Sequence, residues 1–352
     1  MHQNDNSYNN VLLPWLSTQW ERLLKQTSNQ QLPHAFLFAG AEGVGKTRLA
    51  NYFASYLLCE RSKSIFDNSA LQEPCGQCKQ CLLFESDTHP DFKLLEPQEG
   101  SSSIKVDQIR TLVDFYTQSS QQGGRRVAIL SPAEALNNNA ANALLKTLEE
   151  PGSHSVIILI SHQPGMLLPT IRSRCQVVEF SMPKLNESYR WLKSQVKFEG
   201  STSIASEHEL YDALSMAYNS PLKALEYIEM DALNEYKKML EELGFLLKNE
   251  CLSTTLAARW NDDIAVLRLS WMMLWLEQIL KLKSGENLIE RHPAGKMFTY
   301  LSEKTSYHEL LELYDLCLKQ YKLFLGTSNP NKVLAFELLL HRWSALMRKS
   351  IV

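Results

Sequence analysis

The sequence predicts an α/β domain with a parallel sheet, followed by two helical regions. In the first half, short apolar runs alternate with amphipathic stretches, and after Met182-Pro183 apolar residues recur only at helical spacing. Strands that alternate with helices are typical of a mostly parallel sheet covered on both faces. A chain of 352 residues is also long enough for two or three compact units.

The predicted strands are short apolar runs, and the helices between them carry one apolar face. The strands are predicted over residues 35–39, 92–95, 127–130, 156–160 and 176–180. The helices between them are predicted over residues 46–58, 107–118 and 140–149. A small helical lid domain follows over residues 183–230, where Leu210, Leu214 and Ala217 share one helix face.

The last third reads as an all-α C-terminal domain. Helices are predicted over residues 236–247, 263–282, 307–324 and 332–347, with breaks at Ser284-Gly285 and 326–330. We therefore predict an α/β domain over residues 1–182, the lid over 183–230 and a helical collar for oligomerisation over 231–352.

The composition argues against nucleic-acid binding by this chain alone and against a membrane anchor. The net charge is −3, and no basic run is longer than Arg125-Arg126, whereas an independent nucleic-acid binder usually carries a basic face. The uncharged stretch 269–276 is far shorter than the about 20 residues that span a bilayer. The first ten residues are polar, unlike a secretory signal, and the seven cysteines are an odd number. We expect a cytoplasmic protein whose cysteines are metal ligands or core residues.

The motif Gly-Ala-Glu-Gly-Val-Gly-Lys-Thr matches the phosphate-binding pattern G-x-x-x-x-G-K-[ST], and it lies between a predicted strand and a predicted helix. Glycines at Gly40, Gly43 and Gly45 let backbone N–H groups surround phosphate oxygens, and the helix N-terminus adds partial positive charge. Lys46 is predicted to contact the β- and γ-phosphates of ATP or ADP, and the Thr47 hydroxyl to bind Mg²⁺.

The carboxylates that ATP hydrolysis requires are missing from the expected strand end. P-loop ATPases of the AAA+ type carry an Asp, usually followed by a Glu, that hold Mg²⁺ and orient the attacking water. Here the strand runs into Ser131 and Pro132, and Glu134 is offset and expected to face solvent. We predict a nucleotide-binding fold with little or no ATPase activity. The alternative is that another acidic residue substitutes.

Four cysteines are candidates for a structural zinc site. Cys75, Cys78 and Cys81 form two successive C-x-x-C steps, and Cys59 at the end of the preceding helix can supply a fourth thiolate. Four thiolates on a short polar insertion favour closed tetrahedral zinc coordination. A redox motif would need a single C-x-x-C pair at a helix start. An iron–sulfur cluster is the alternative that the cysteines alone leave open.

A Ser-Arg-Cys sequence follows the fourth predicted strand. Pro169 is predicted to begin a helical turn that presents Arg174 at the surface, where an isolated arginine is usually only a solvated charge. The segments Ala-Ala-Asn-Ala-Leu-Leu-Lys-Thr-Leu-Glu-Glu-Pro at 140–151 and Thr-Ile-Arg-Ser-Arg-Cys at 170–175 resemble the bacterial DNA polymerase III clamp-loader family of AAA+ proteins. The cysteine insertion before His89-Pro-Asp and the Pro-Trp-Leu at 14–16 also look like this family. The resemblance covers most of residues 12–230 and only loosely residues 331–348.

The resemblance implies a subunit of a pentamer that loads sliding clamps onto primed DNA. In this family a degraded acidic strand with an intact Ser-Arg-Cys is typical of the subunit that does not hydrolyse ATP. Carried onto this chain, Arg174 is then an arginine finger that acts in trans on the ATP of a neighbouring motor subunit. The implied partners are the motor subunits, the delta subunit, and the sliding clamp and primer-template DNA through the assembly. The implied complex belongs to a DNA-directed DNA polymerase holoenzyme.

The nucleotide sensors of the motor subunits are not reproduced in this chain. Where they carry an arginine, the chain has Asn-Ser-Pro-Leu at 219–222, with Lys223 as an adjacent candidate. The sensor position on the sheet falls near Ser161-His162, where we expect His162 to be structural.

Two other functions remain open at this point. The chain could be an ATP-driven motor, against which Ser131 and Pro132 argue. It could also be an unrelated P-loop module, such as a kinase or a transport regulator, against which the tandem cysteines and the Ser-Arg-Cys context argue.

Overall fold

The chain divides into two compact units, Met1–Glu187 and Ser188–Val352. The computed structural model describes residues 12–29, 31–63, 72–98, 101–122, 124–152, 154–198, 207–286, 294–325 and 330–348. The polar first ten residues and most of the predicted break at 326–330 lie outside these ranges. A further division of the second unit at about residue 230 stays a prediction.

The first unit contains a five-stranded parallel sheet. Its strands are β1 (Ala35–Gly40), β2 (Phe92–Leu95), β3 (Arg126–Leu130), β4 (Ser155–Ser161) and β5 (Gln176–Phe180). They are ordered β2-β3-β4-β1-β5, so β1 lies between β4 and β5. The helices are α1 (Ser17–Ser28), α2 (Lys46–Leu58), α3 (Lys79–Glu85), α4 (Val106–Thr117), α5 (Asn138–Glu149), α6 (Pro169–Arg172) and α7 (Leu185–Phe198), the last of which continues into the second unit. The predicted α/β fold class is confirmed.

Both faces of the sheet are covered, as the continuous apolar strands predict. Along β1, Leu37 and its alternate neighbours share a buried cluster with Leu112 of α4 and Leu144 of α5. Phe36 points to the opposite face, where its ring centroid lies 5.8 Å from that of Phe53 in α2. Burial of each of these large side chains contributes about 2 kcal/mol. The core therefore fixes the carboxyl ends of the strands, where the loops described below begin.

A buried carboxylate anchors the loop that leads into β3. Asp91 is 1% exposed and accepts hydrogen bonds from Ser120 Oγ at 2.8 Å and from the backbone N–H groups of Gln121 and Gln122 at 3.0 and 2.9 Å. It also pairs with Arg126 Nε at 3.4 Å. Burial alone would raise the pKa of Asp91, but these donors and the positive charge of Arg126 together hold that pKa below its usual value.

Asp91→Asn is expected to lower the free energy of unfolding by about 3 kcal/mol, because it leaves the buried Arg126 without its counter-charge. The pKa of Asp91 is lower in the folded chain, so its contribution is present above about pH 3.9 and is lost as the pH falls through the folded-state pKa. Urea unfolding at pH 7 and pH 3 measures both effects. Asp114→Asn, at an exposed position of α4, is the matched control, and equal destabilisation by the two variants would contradict the prediction.

The described part of the second unit is built from helices. They are α8 (Glu207–Met216), α9 (Pro221–Glu229), α10 (Ala232–Leu247), α11 (Ser253–Arg259), α12 (Ala265–Lys283), α13 (Gly295–Lys304), α14 (Tyr307–Leu325) and α15 (Lys332–Arg348). The four long predicted helices correspond to α10, α12, α14 and α15. None of the helices described here, α12 included, combines the length and apolar character that crossing a bilayer requires.

Buried tryptophans form the centre of this helical unit. Trp275 donates from its indole nitrogen to Tyr236 Oη at 2.6 Å, and Trp260 donates to Glu242 Oε2 at 2.7 Å. Trp260 also packs edge-on against Phe336 of α15. A buried indole N–H usually finds such an acceptor, and these contacts link α10, α12 and α15 with the C-terminal end of α11. The stretch 269–276 is accordingly core, as predicted from its length.

Candidate functional site

The phosphate-binding motif forms a tight loop between β1 and α2, as predicted. Gly43 and Gly45 have φ angles of 74° and 97°, a region that side chains with a Cβ rarely adopt. A Cβ at Gly45 would also lie 2.5 Å from Leu13 Cδ1. The loop therefore requires glycine at this position. Its location, at the carboxyl end of the interior strand β1 and at a helix N-terminus, is that of a phosphate cradle.

Lys46 is buried against the loop that it follows. It is 2% exposed, and its Nζ donates to the carbonyl oxygens of Gly40 at 2.7 Å and Ala41 at 2.6 Å. Burial lowers the pKa of Lys46 to about 8, while the negative charges of Glu134 and Glu42 act in the opposite direction.

The loop residues fit a bound nucleotide. Thr47 is exposed beside the buried Lys46, so its hydroxyl is accessible. A cation, a glycine-built cradle and an accessible hydroxyl are the groups that phosphates and their Mg²⁺ require.

The turn that precedes α1 contacts the phosphate-binding loop. Residues Pro14–Leu16 form a 3-10 turn, and the Trp15 indole N–H donates to the carbonyl oxygen of Val44 at 2.9 Å. Val44 is fully buried. Sequence reasoning noted the Pro-Trp-Leu motif only as part of a family resemblance. Its contact with the loop depends on a partner 29 residues away and could not be read from the motif.

Glu134 does not face solvent, so that expectation was wrong. It lies in the 3-10 turn Ala133–Ala135 after β3, and its Oε1 accepts hydrogen bonds from the backbone N–H groups of His162 at 2.8 Å and Gln163 at 3.2 Å. Two N–H groups that follow β4 outcompete water for this carboxylate because they are held in place by the sheet. At the end of β3 itself stand Ser131, which is buried, and Pro132.

The four cysteines lie together, as predicted. Cys59 caps the C-terminus of α2 and Cys78 caps the N-terminus of α3, and the four sulfur atoms are all within 4.8 Å of one another. The Sγ atoms of Cys75 and Cys81 are 3.9 Å apart, and those of Cys78 and Cys59 are 4.0 Å apart. Tetrahedral zinc with Zn–S bonds of about 2.3 Å places its sulfurs about 3.8 Å apart. The cluster fits zinc with little contraction.

The electrostatics of the cluster also favour metal binding. The Cys81 thiol donates toward Cys59, which lowers the pKa of Cys59 and raises that of Cys81, so Cys59 is the first of the two to ionise. Backbone N–H groups of Cys78 and Cys81 donate to Cys75 Sγ at 3.3 Å and Cys78 Sγ at 3.5 Å. Such donors stabilise thiolates that ligate a metal. All seven cysteines are free thiols.

The insertion that carries the cluster is tied to the rest of the first unit. The Trp20 indole of α1 donates to the carbonyl oxygen of Gln72 at 3.1 Å. Gln80 of α3 donates to Glu60 and to Gln122, each at 3.1 Å. The cluster is thereby linked to the loop that Asp91 anchors.

Arg174 lies between α6 and β5, at the place where its motif predicts it. Its side chain is 35% exposed. The guanidinium donates from Nη2 to Glu149 Oε1 at 2.5 Å and from Nη1 to the carbonyl oxygen of Thr170 at 3.0 Å. The neighbouring Cys175 is buried, and burial raises its pKa to about 12, which makes it a packing residue. The structure thus gathers the loop residues and the cysteines into two clusters, and places Arg174 with Glu149.

Sequence comparisons relate the whole chain to replication proteins. A sequence profile described as DNA polymerase III, delta subunit, matches residues 15–184, and one described as the C terminal of that subunit matches residues 230–345. The DNA polymerase III subunit delta′ of Pseudomonas aeruginosa is 37% identical over 95% of this chain and 98% of its own length. That of Escherichia coli is 28% identical over 93% of this chain and 94% of its own.

Two solved structures are similar at a lower level. A DNA polymerase III gamma subunit-related protein of Thermotoga maritima has a TM-score of 0.42 and 16% identity, and covers 93% of this chain and 100% of its own. The Bacillus subtilis DNA clamp loader delta protein has a TM-score of 0.33 and 12% identity, over 93% and 99%.

Proposed function

Because this chain belongs to the family of DNA polymerase III delta′ subunits, we propose that it is a clamp-loader subunit that hydrolyses little or no ATP itself. In this proposal it stabilises the loader and offers Arg174 in trans to the ATP of a neighbouring motor subunit. Its partners are the motor subunits, the delta subunit and, through the assembly, the sliding clamp and primer-template DNA. The complex that these proteins form would act in DNA replication, in the cytoplasm.

The end of β3 is the observation that carries the proposal. Ser131 and Pro132 follow that strand, where a hydrolysing P-loop ATPase has the carboxylates that hold Mg²⁺ and orient water. Serine carries no charge to hold a divalent cation, and proline carries no base. Loss of one preorganised catalytic group typically costs about 10²–10³ in turnover, so loss of both should leave almost none.

The position of Arg174 supports the role in trans. Its guanidinium lies at the surface of the first unit, and its contacts are with Glu149 and the carbonyl oxygen of Thr170, which belong to the same surface. An arginine that is always charged and presents a planar fork of donors suits the phosphate of an adjacent subunit.

The phosphate-binding loop and the cysteine cluster have binding roles in this proposal. Lys46, Thr47 and the loop N–H groups would hold ATP or ADP with Mg²⁺, and the bound nucleotide would add rigidity to the first unit. The four cysteines would hold one structural zinc. Residues 183–230 would form the lid, and the collar over 231–352 would join the chain to its neighbours.

The chain purified alone is expected to turn over ATP more slowly than about 0.01 s⁻¹. This rate is well below about 1 s⁻¹, the lower end of typical enzyme turnover numbers. Lys46→Ala should leave this background rate unchanged, because no hydrolysis depends on the loop. Phosphate release measures the rates of the wild-type chain and of the variant.

Co-expression with candidate motor and delta subunits, followed by size-exclusion chromatography, tests assembly.

Two results would replace the proposal. Turnover near 1 s⁻¹ that disappears in Lys46→Ala would identify an ATP-driven motor subunit. Failure to co-purify with any clamp-loader subunit would remove the proposed role in the assembly.

A further inference from the structure

The sheet order places the turn after β3 and the loop after β1 on either side of the residues that follow β4. β4 lies between β3 and β1, so the residues that follow β4 adjoin both the turn that carries Glu134 and the loop that follows β1. Glu134 reaches across this edge to the backbone N–H groups of His162 and Gln163. Its carboxylate therefore lies at the carboxyl edge of the sheet, where ligands of open parallel sheets bind.

The two oxygens of Glu134 have different surroundings. Oε1 is fixed by the two N–H groups, whereas Oε2 is buried and has no hydrogen-bond partner among the residues that the structure describes. A buried carboxylate oxygen without a partner is costly unless a cation or donor reaches it. The negative charge of Glu134 also acts on Lys46, so this carboxylate and the lysine share one electrostatic environment.

We propose that Glu134 supplies the carboxylate for the divalent cation of a nucleotide bound at the loop, in place of the acidic residue that Ser131 replaces. This inference rests on the proposed nucleotide binding by the loop. An anchored carboxylate with one uncommitted oxygen is a preorganised oxygen ligand of the kind that Mg²⁺ takes. Pro132 offers no second carboxylate to activate water, so the site binds the nucleotide without hydrolysing it.

The charges give the proposal a distinct signature. Without Mg²⁺, the Glu134 carboxylate repels the phosphates of a nucleotide; with Mg²⁺, it attracts the cation that they carry. Glu134 should therefore make nucleotide affinity strongly dependent on Mg²⁺. A carboxylate that only tied β3 to β4 would give no such dependence.

The test measures ADP binding to the full chain by isothermal titration calorimetry, with Mg²⁺ and with EDTA. We expect Mg²⁺ to tighten ADP binding to the wild-type chain, and E134Q to reduce that enhancement by about tenfold, equal to about 1.4 kcal/mol. In EDTA, E134Q should bind ADP at least as tightly as wild type, because a repulsive charge is gone. The Gln oxygen can still accept from the two N–H groups, and a thermal melt checks folding.

Asp114→Asn is the control, since it removes one negative charge at an exposed position of α4, outside the loop. It should retain the Mg²⁺ enhancement. If E134Q unfolds at a lower temperature than the wild-type chain, E134A is the second variant, and whichever variant folds must lose the enhancement. An undiminished enhancement in a folded Glu134 variant overturns the inference, as does an equal loss in D114N. Wild-type chain that binds no ADP also overturns it, yet leaves subunit assembly and the role of Arg174 standing.

Discussion

In the proposed assembly, Arg174→Ala is expected to lower the rate of ATP cleavage at the neighbouring motor subunit by about a thousandfold. An arginine finger stabilises the charge that develops on the transferred phosphoryl group and is worth about 10³–10⁵ in turnover. The substitution should leave the fold intact, because the pair with Glu149 is part-exposed and contributes at most about 1 kcal/mol. The proposed assembly with the motor and delta subunits should therefore still form.

The rate is best measured in a rapid-quench, single-turnover assay with primed DNA and clamp present. In the loader used, the other ATP sites are inactivated by substitution of their loop lysines. Arg172→Ala is the matched control, two residues away and exposed, and it should retain the full rate. Arg174→Lys keeps the charge without the planar fork and should restore little of the rate. A wild-type rate in Arg174→Ala, or an equal loss of rate in Arg172→Ala, would contradict the proposed role of Arg174 as an arginine finger.

Loss of zinc is expected to lower the melting temperature of the chain by about 10 °C or more. Metal binding to a preformed thiolate cluster is coupled to folding, and structural zinc sites contribute many kcal/mol. Cys78→Ser should lose the metal, because Cys78 both caps α3 and lies against Cys59. Metal analysis of the freshly reduced wild-type chain should find one zinc per chain, and calorimetry with and without chelator measures the change in melting temperature.

Cys251→Ser is the control for the zinc prediction. Cys251 lies in the second unit, outside the cluster. Its substitution should keep the zinc and shift the melting temperature by no more than about 2 °C. A wild-type chain that contains no metal would contradict the zinc prediction. Iron with visible absorption would instead support the iron–sulfur alternative.

The strands and the nucleotide loop could be predicted from local sequence. The five predicted strands begin and end within one residue of the observed ones, because each buried parallel strand is a continuous apolar run bounded by polar or turn-forming residues. The cysteine cluster was also predictable, since three of its ligands lie within seven consecutive residues and the fourth ends the preceding helix. The helices α1, α3, α11 and α13 were missed. The last three have ten residues or fewer, and helices this short depend on packing and show little periodicity of their own.

Side-chain partners across the sheet were decided only by the tertiary structure. The sequence determined that the chain keeps a glycine-built loop with Lys46 and lacks acidic residues at Ser131 and Pro132. It could not show that Glu134 turns toward the N–H groups of His162 and Gln163, 28 and 29 residues away. Periodicity encodes which face of a strand or helix is buried, whereas the partner of a polar group depends on which strands become neighbours. Here β4 lies between β3 and β1, and that order brings the Glu134 carboxylate to the N–H groups that follow β4.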